Sequence, residues 1–216
     1  VNLYSSGLEL AADATAANFF VLVGLSLYIS YSRRKAQRLT RRELTRKYLS
    51  RGIKAFLLGV LITLVTYVLY PEAPILFGAL HFIGTSIIIG YGALAATERR
   101  NRAIRFSFFL AIAAVCFGIT LLLGGVNLDS ALLLWVGVSP VSFQSLDYFP
   151  LVPWFGFVSL GLSFGPILYP DGKRRFSIPN FTNPFSTLLG RHALVIYILH
   201  QPLLYAAIFA YLRVSN

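Results

Sequence analysis

The sequence predicts an all-α protein, a polytopic membrane helical bundle of about six transmembrane helices, and three observations predict it. Across 216 residues the chain is 56% hydrophobic and only 12% charged, where soluble domains carry about 25% charge. Six stretches are long and apolar enough to cross a hydrocarbon core, which takes about 20 residues of helix. The basic residues between those stretches fall almost entirely on one side once the spans alternate.

The spans are Ala12–Tyr31, Ile53–Tyr70, Ile75–Thr97, Phe106–Val126, Tyr148–Tyr169 and Arg191–Leu212. The second is short. The fifth contains Pro150, Pro153 and Pro166, so irregular ends are expected where proline removes a backbone donor. The segment Leu128–Val141 is apolar but too short to span, and reads as an interfacial or re-entrant loop. These runs are apolar all round, which points to lipid rather than to an amphipathic soluble bundle. The whole chain, 1–216, reads as one transmembrane domain.

Alternation puts 18 of the 19 Lys and Arg residues in Arg33–Lys54, Glu98–Arg105 and Asp171–Arg191, leaving Arg213 on the far side with Glu9, Asp13, Glu72, Asp129 and Asp147. Lys and Arg in short loops mark the cytoplasm, so a multi-pass cell-membrane protein with these loops inside is expected. The formal charge of +11 is explained by topology and lipid attraction, about 1 kcal/mol per basic residue near the surface, and not by nucleic acid. Cys116, the one cysteine, lies in an apolar run and excludes an internal disulfide. No phosphate-binding glycine loop, zinc-spaced Cys/His set or nucleophile elbow is present, so no metal is expected.

Polar groups inside a membrane are costly and tend to serve function. Asp13, His81, Asp147, His192, His200 and Gln201 form that set. His81 has an equal reading as a helix–helix hydrogen bond. Asp147 precedes the fifth span, where an ordinary N-cap would sit. Trp154 fits an aromatic belt as well as a substrate platform. His200 and Gln201 stand directly before Pro202, whose missing N–H frees a carbonyl one turn back and loosens the helix toward a cavity. In the stretch Arg33–Lys54, Arg51 and Lys54 lie where the second span begins, placed to meet a phosphorylated cytoplasmic ligand. Arg191 and His192 open the last span at the same face.

Two strings are distinctive: Leu146-Asp-Tyr-Phe-Pro-Leu-Val-Pro-Trp-Phe-Gly156 and Leu189-Gly-Arg-His-Ala-Leu-Val-Ile-Tyr-Ile-Leu-His-Gln-Pro202. With Gly78-Ala-Leu-His-Phe-Ile-Gly84, and with Asp13 eleven residues before Gly24, they resemble the heparan-α-glucosaminide N-acetyltransferase family of membrane acyltransferases, in its prokaryotic branch. The resemblance implies acyl transfer from cytoplasmic acetyl-CoA, or another acyl-CoA, to an amino sugar or envelope glycan across the membrane. It carries Asp13 over by position, as a group that would orient a base. With the reading of the residues given above, the catalytic candidates are His200, Gln201, His81 and Asp13, the acceptor contacts Asp147 and Trp154, and the donor contacts Arg51, Lys54, Arg191 and His192. A histidine would act as general base and polar donors would hold the oxyanion. His81 falls where the eukaryotic relative has glutamine. The family also has a helix and an outer-side histidine before the region matching Asp13, so a further helix is expected ahead of Val1. The expected partners are acyl-CoA, a glycan acceptor, the bilayer and a second copy of the chain. A transporter or channel, the competing function, should show interrupted helices repeated in both halves; the proline-rich fifth span has no counterpart in the first half. A non-catalytic membrane scaffold is the third alternative.

Overall fold

The computed structural model describes residues 6–123, 131–177 and 183–193, together with 195, 196, 199, 207 and 211. Among them are six α-helices: α1 (Ser6–Ala36), α2 (Arg41–Leu69), α3 (Ala79–Ala96), α4 (Arg102–Leu123), α5 (Leu151–Leu168) and α6 (Pro184–Arg191). The first five are long and apolar enough to cross a membrane. The chain falls into two compact units, Val1–Phe176 and Ser177–Asn216. The bundle is the first unit.

The helices are longer than the apolar runs. α1 has 31 residues and α2 has 29, so the basic stretch Arg33–Lys54 is not a loop. It is two helix ends joined by a tight turn, with Arg38 at φ 58°. Hydropathy finds only the part of a helix that lipid covers, and Arg, Lys, Leu and Glu are good helix formers that carry both helices past it. α2 begins with a capping box: Thr40 Oγ1 accepts from the Glu43 amide, and Glu43 accepts from the Thr40 amide at 2.8 Å.

Two helix pairs are packed backbone to backbone. In the α1–α5 pair, a Cβ on Gly24 would overlap the Val158 carbonyl, and one on Gly161 would overlap the Val21 carbonyl. In the α2–α3 pair, Gly52 and Gly84 face each other so closely that a Cβ on either would come within 2.7 Å of the other's carbonyl oxygen. Lipid supplies no hydrophobic drive between helices, so close van der Waals packing at small residues holds them. α4 joins α5 through Ser159, whose hydroxyl donates to the Phe109 carbonyl at 2.7 Å. The buried aromatic and aliphatic core, including Phe20, Tyr48, Phe82, Phe109, Val158 and Leu162, fills the space between these seams.

The long-range polar contacts separate the two ends of the bundle. At the basic end, Lys35 pairs with Glu98 at 2.9 Å and Arg102 with Asp171 at 3.3 Å. There Ser30 bonds Tyr48 and Thr45 bonds Tyr91. At the acid end, backbone bonds join Leu146 to Ala73 and Phe149 to Phe77. The expected interfacial segment, in its described part, is a short 3-10 turn (Ala131–Leu133) followed by a stretch bonded to the start of α5 through Trp135 and Val136. Leu134 and Val138 are buried there. The irregular entry to α5 is also found: Val152 has non-helical backbone angles, and Pro166 sits near the far end.

The second unit contains α6, capped by Asn183, whose side chain accepts from the Phe185 amide at 2.9 Å, with Pro184 in the first turn. The expected span Arg191–Leu212 lies mostly outside the described residues.

Candidate functional site

At the acid end, Asp147 does not cap its own helix as expected. Pro150 holds that position, with no side-chain cap. Asp147 Oδ2 accepts from the Ala79 amide at 2.8 Å, at the first turn of α3. The first amides of a helix lack intrahelical partners and carry partial positive charge, which a carboxylate satisfies. Gly78 makes the approach feasible, because a Cβ there would collide with the Asp147 carboxylate. Ser145 fixes the loop by donating to the Pro74 and Asp147 carbonyls, at 3.0 Å each. Tyr148 donates to the Leu134 carbonyl at 2.7 Å, and burial pushes its phenol above the ordinary value.

His81 follows on the same turn of α3 and is 3% exposed. Its ring fills a notch left by Gly59 on α2, where a Cβ would lie 2.8 Å from Nδ1. Phe56 meets the ring edge-on and Phe77 stacks on it. Nε2 lies 3.4 Å from Thr63 Oγ1, and that hydroxyl spends its single proton on the Ile75 carbonyl. Nδ1 has no hydrogen-bond partner among the described residues. The histidine thus sits in the α2–α3 seam.

Trp154 belongs to a different cluster, between α1 and α5. Its ring centroid lies 4.9 Å from Phe149, 5.5 Å from Phe20 and 5.7 Å from Phe157, and Phe20 lies 4.5 Å from Phe82. Trp154 is half-buried. Asp13 is exposed on α1, two turns before Phe20 and on the same helix face. The structure therefore brings Asp147 and His81 to one helix turn and sets Trp154 in an aromatic box with Phe149, Phe20 and Phe157. His200 and Gln201 lie outside the described residues.

At the basic end, Arg51 and Lys54 are exposed on α2, and neither is among the residues lining the two clefts described next. Arg191 and His192 end α6 in the second unit, both exposed. One cleft, of about 730 Å³, is an open groove along the first turn of α2, lined by Arg41, Arg42 and Arg46 with Glu43 and Thr45. The other, of about 500 Å³, was not anticipated. Its floor is one face of α1, with Ser26, Ile29, Ser30, Arg33, Arg34 and Gln37, and Tyr169 closes one side. Arg33 Nε donates to the Gly172 carbonyl at 3.1 Å, and Arg34 donates to Gln37 at 3.2 Å. Gly172, at φ 76°, lets its turn rest on α1, since a Cβ there would lie 2.9 Å from the Arg33 amide nitrogen. The spacing of Ser26, Ser30, Arg33 and Gln37 follows a helix face and was the available signal. Tyr169, 136 positions after Arg33, carries no such mark.

This end holds 17 Lys and Arg residues between Arg33 and Arg175 against three carboxylates, Glu43, Glu98 and Asp171. The bond from Lys35, aided by one from Tyr31, holds Glu98 below the ordinary carboxyl value. Among the described residues no group of His, Cys, Asp and Glu could hold a metal ion.

These features define an integral membrane protein of helical-bundle type, cationic at one end and aromatic with a committed carboxylate at the other. The family model described as heparan-alpha-glucosaminide N-acetyltransferase, catalytic, matches residues 1–202. The chain belongs to that family, and the matched region is the catalytic domain of a membrane acetyltransferase. Neither the curated proteins nor the solved structures include a match to it.

Proposed function

We propose that the protein moves an acetyl or related acyl group from acyl-CoA, bound at the basic end, to an amino sugar or envelope glycan at the acid end. The observation that carries this is the opposition of the two ends within one acetyltransferase bundle: seventeen cations and a polar cleft at one, Asp147 and the Trp154 box at the other. An anionic donor and a sugar acceptor call for those two surfaces.

The reaction joins the acceptor nitrogen to the acyl carbon as the carbon–sulfur bond breaks. The amine loses a proton to a base, and CoA leaves as its thiolate. His200 is assigned as that base and Gln201 as a donor to the tetrahedral oxyanion. Trp154 and its neighbours offer an aromatic face to the sugar. Asp147 accepts from the first turn of α3, which carries His81, the further catalytic candidate.

The test uses protein in nanodiscs, acetyl-labelled acetyl-CoA and a panel of amino sugars. The wild type should acetylate at least one of them, and His200→Ala should lower the rate by about 10²–10⁴-fold while the thermal transition is kept. A wild type that acetylates none contradicts the function. Near-normal transfer by the variant contradicts the assignment of His200.

A further inference from the structure

The cleft on α1 lies beside an unusual gathering of like charges. Lys47 lies within reach of the charges of Arg34 and Arg51, and the same two guanidinium groups act on the fully buried Tyr48. Tyr48 is bonded to Ser30 of the cleft at 2.9 Å. The carboxylates of this end are engaged elsewhere: Glu43 with Thr40, Glu98 with Lys35, Asp171 with Arg102. Cations held together on rigid helices repel one another, and an anion among them relieves that repulsion.

The cleft's donors suit one kind of anion. Arg33 is anchored through Nε to Gly172, and Arg34 is held by Gln37, so both side chains are restrained before any ligand arrives. The Gln37 oxygen accepts from Arg34, which leaves its amide N–H groups as donors. A guanidinium fork matches a phosphate oxygen pair, and a preorganised fork loses little entropy on binding. A carboxylate would meet the same groups, but a diphosphate engages two guanidinium groups at once.

We propose that this cleft is a phosphate-ester subsite, and that the diphosphate of the CoA donor occupies it between Arg33 and Arg34, with Ser30 and Gln37 as hydrogen-bonding partners. The assignment rests on the donor proposed above and moves its anchor from Arg51 and Lys54 to α1. Anionic lipid headgroups offer the same phosphate chemistry, and the test separates the two sources.

The experiment measures CoA binding calorimetrically to the full chain in neutral phosphatidylcholine nanodiscs, with inorganic pyrophosphate as competitor. Arg34 is the residue to change, because Arg33 also holds the Gly172 turn. Arg34→Gln should weaken CoA binding about tenfold or more, the loss of one charged hydrogen-bonding pair, and Arg34→Lys should restore part of it. Arg100→Gln, at an exposed site outside the cleft, should change binding less than about twofold. Pyrophosphate should displace CoA from the wild type. Unchanged CoA affinity in Arg34→Gln overturns the cleft assignment and leaves the donor standing. A wild type that ignores CoA but binds pyrophosphate through Arg34 keeps the subsite and removes the donor. If anionic lipid co-purifies with the wild type and not with Arg34→Gln, while both bind CoA equally, the cleft belongs to a headgroup and the proposal fails.

Discussion

Replacing Gly161 with alanine tests the packing on which the bundle rests. A methyl group there would overlap the Val21 carbonyl and lie 2.8 Å from the Leu25 amide nitrogen, where ordinary contact begins near 3.4 Å. Both neighbours are backbone of α1, so no side chain can turn aside. The helices must part by about 1 Å, and a gap of that size forfeits a quarter to a half of each dispersion contact along the seam. Overpacking of this kind costs roughly 1–3 kcal/mol, which lowers the thermal midpoint of a chain this size by about 2–12 °C. Gly118 of α4 is the matched control, because nothing lies within 4 Å of a Cβ built there. Alanine has the better helix propensity by about 1 kcal/mol, so Gly118→Ala should hold or raise the midpoint. Thermal unfolding of both variants in the same detergent decides it. Equal shifts for the two glycines would refute the close α1–α5 contact.

Three further outcomes are expected. Asp147→Ala should lower stability by about 0.5–2 kcal/mol, the usual worth of a helix cap, and Asp147→Asn should recover part of it; unfolding midpoints show whether Asn and Ala differ. Glu98 has a folded-state pKa below the ordinary value, so its contribution is present at neutral pH and is lost as pH falls through about 4.5 and below; Glu98→Gln should flatten that part of the stability–pH curve, and an unchanged curve would show that the Lys35 pair contributes nothing. In a Cys116→Ser background, single cysteines at Arg102 and Glu72 should label from opposite faces of sealed vesicles, and labelling of both from one face would break the alternation of the helices.

Much of the bundle was legible because lipid imposes one strong rule: about 20 apolar residues per crossing, with cations gathered at one side. Helix ends were less legible. α2 starts at Arg41 rather than Ile53, since charged helix formers continue a helix beyond the apolar run. Of the site, Asp147 was visible as a polar residue beside a span, but its partner was not: Ala79 lies 68 positions away, and only the folded loop brings them together. His81 was visible as a polar residue in a span, but its neighbours Gly59 and Thr63 on α2 were not. The α1 cleft escaped notice because Arg33 and Arg34 look like ordinary charges at a membrane edge until Tyr169 and Gly172 fold against them.

The central claim is transfer between the two ends of one bundle, and sided proteoliposomes test it most directly. Protein is reconstituted in one orientation, fixed by cleavage or labelling at the basic end. Acetyl-labelled acetyl-CoA is supplied only on that side, and the amino sugar found in the nanodisc panel only on the other. The account predicts acetylated sugar on the acid side, free CoA on the basic side, and no product when the two substrates are exchanged. Product formed equally in both arrangements, or only when donor and acceptor share one side, would contradict it.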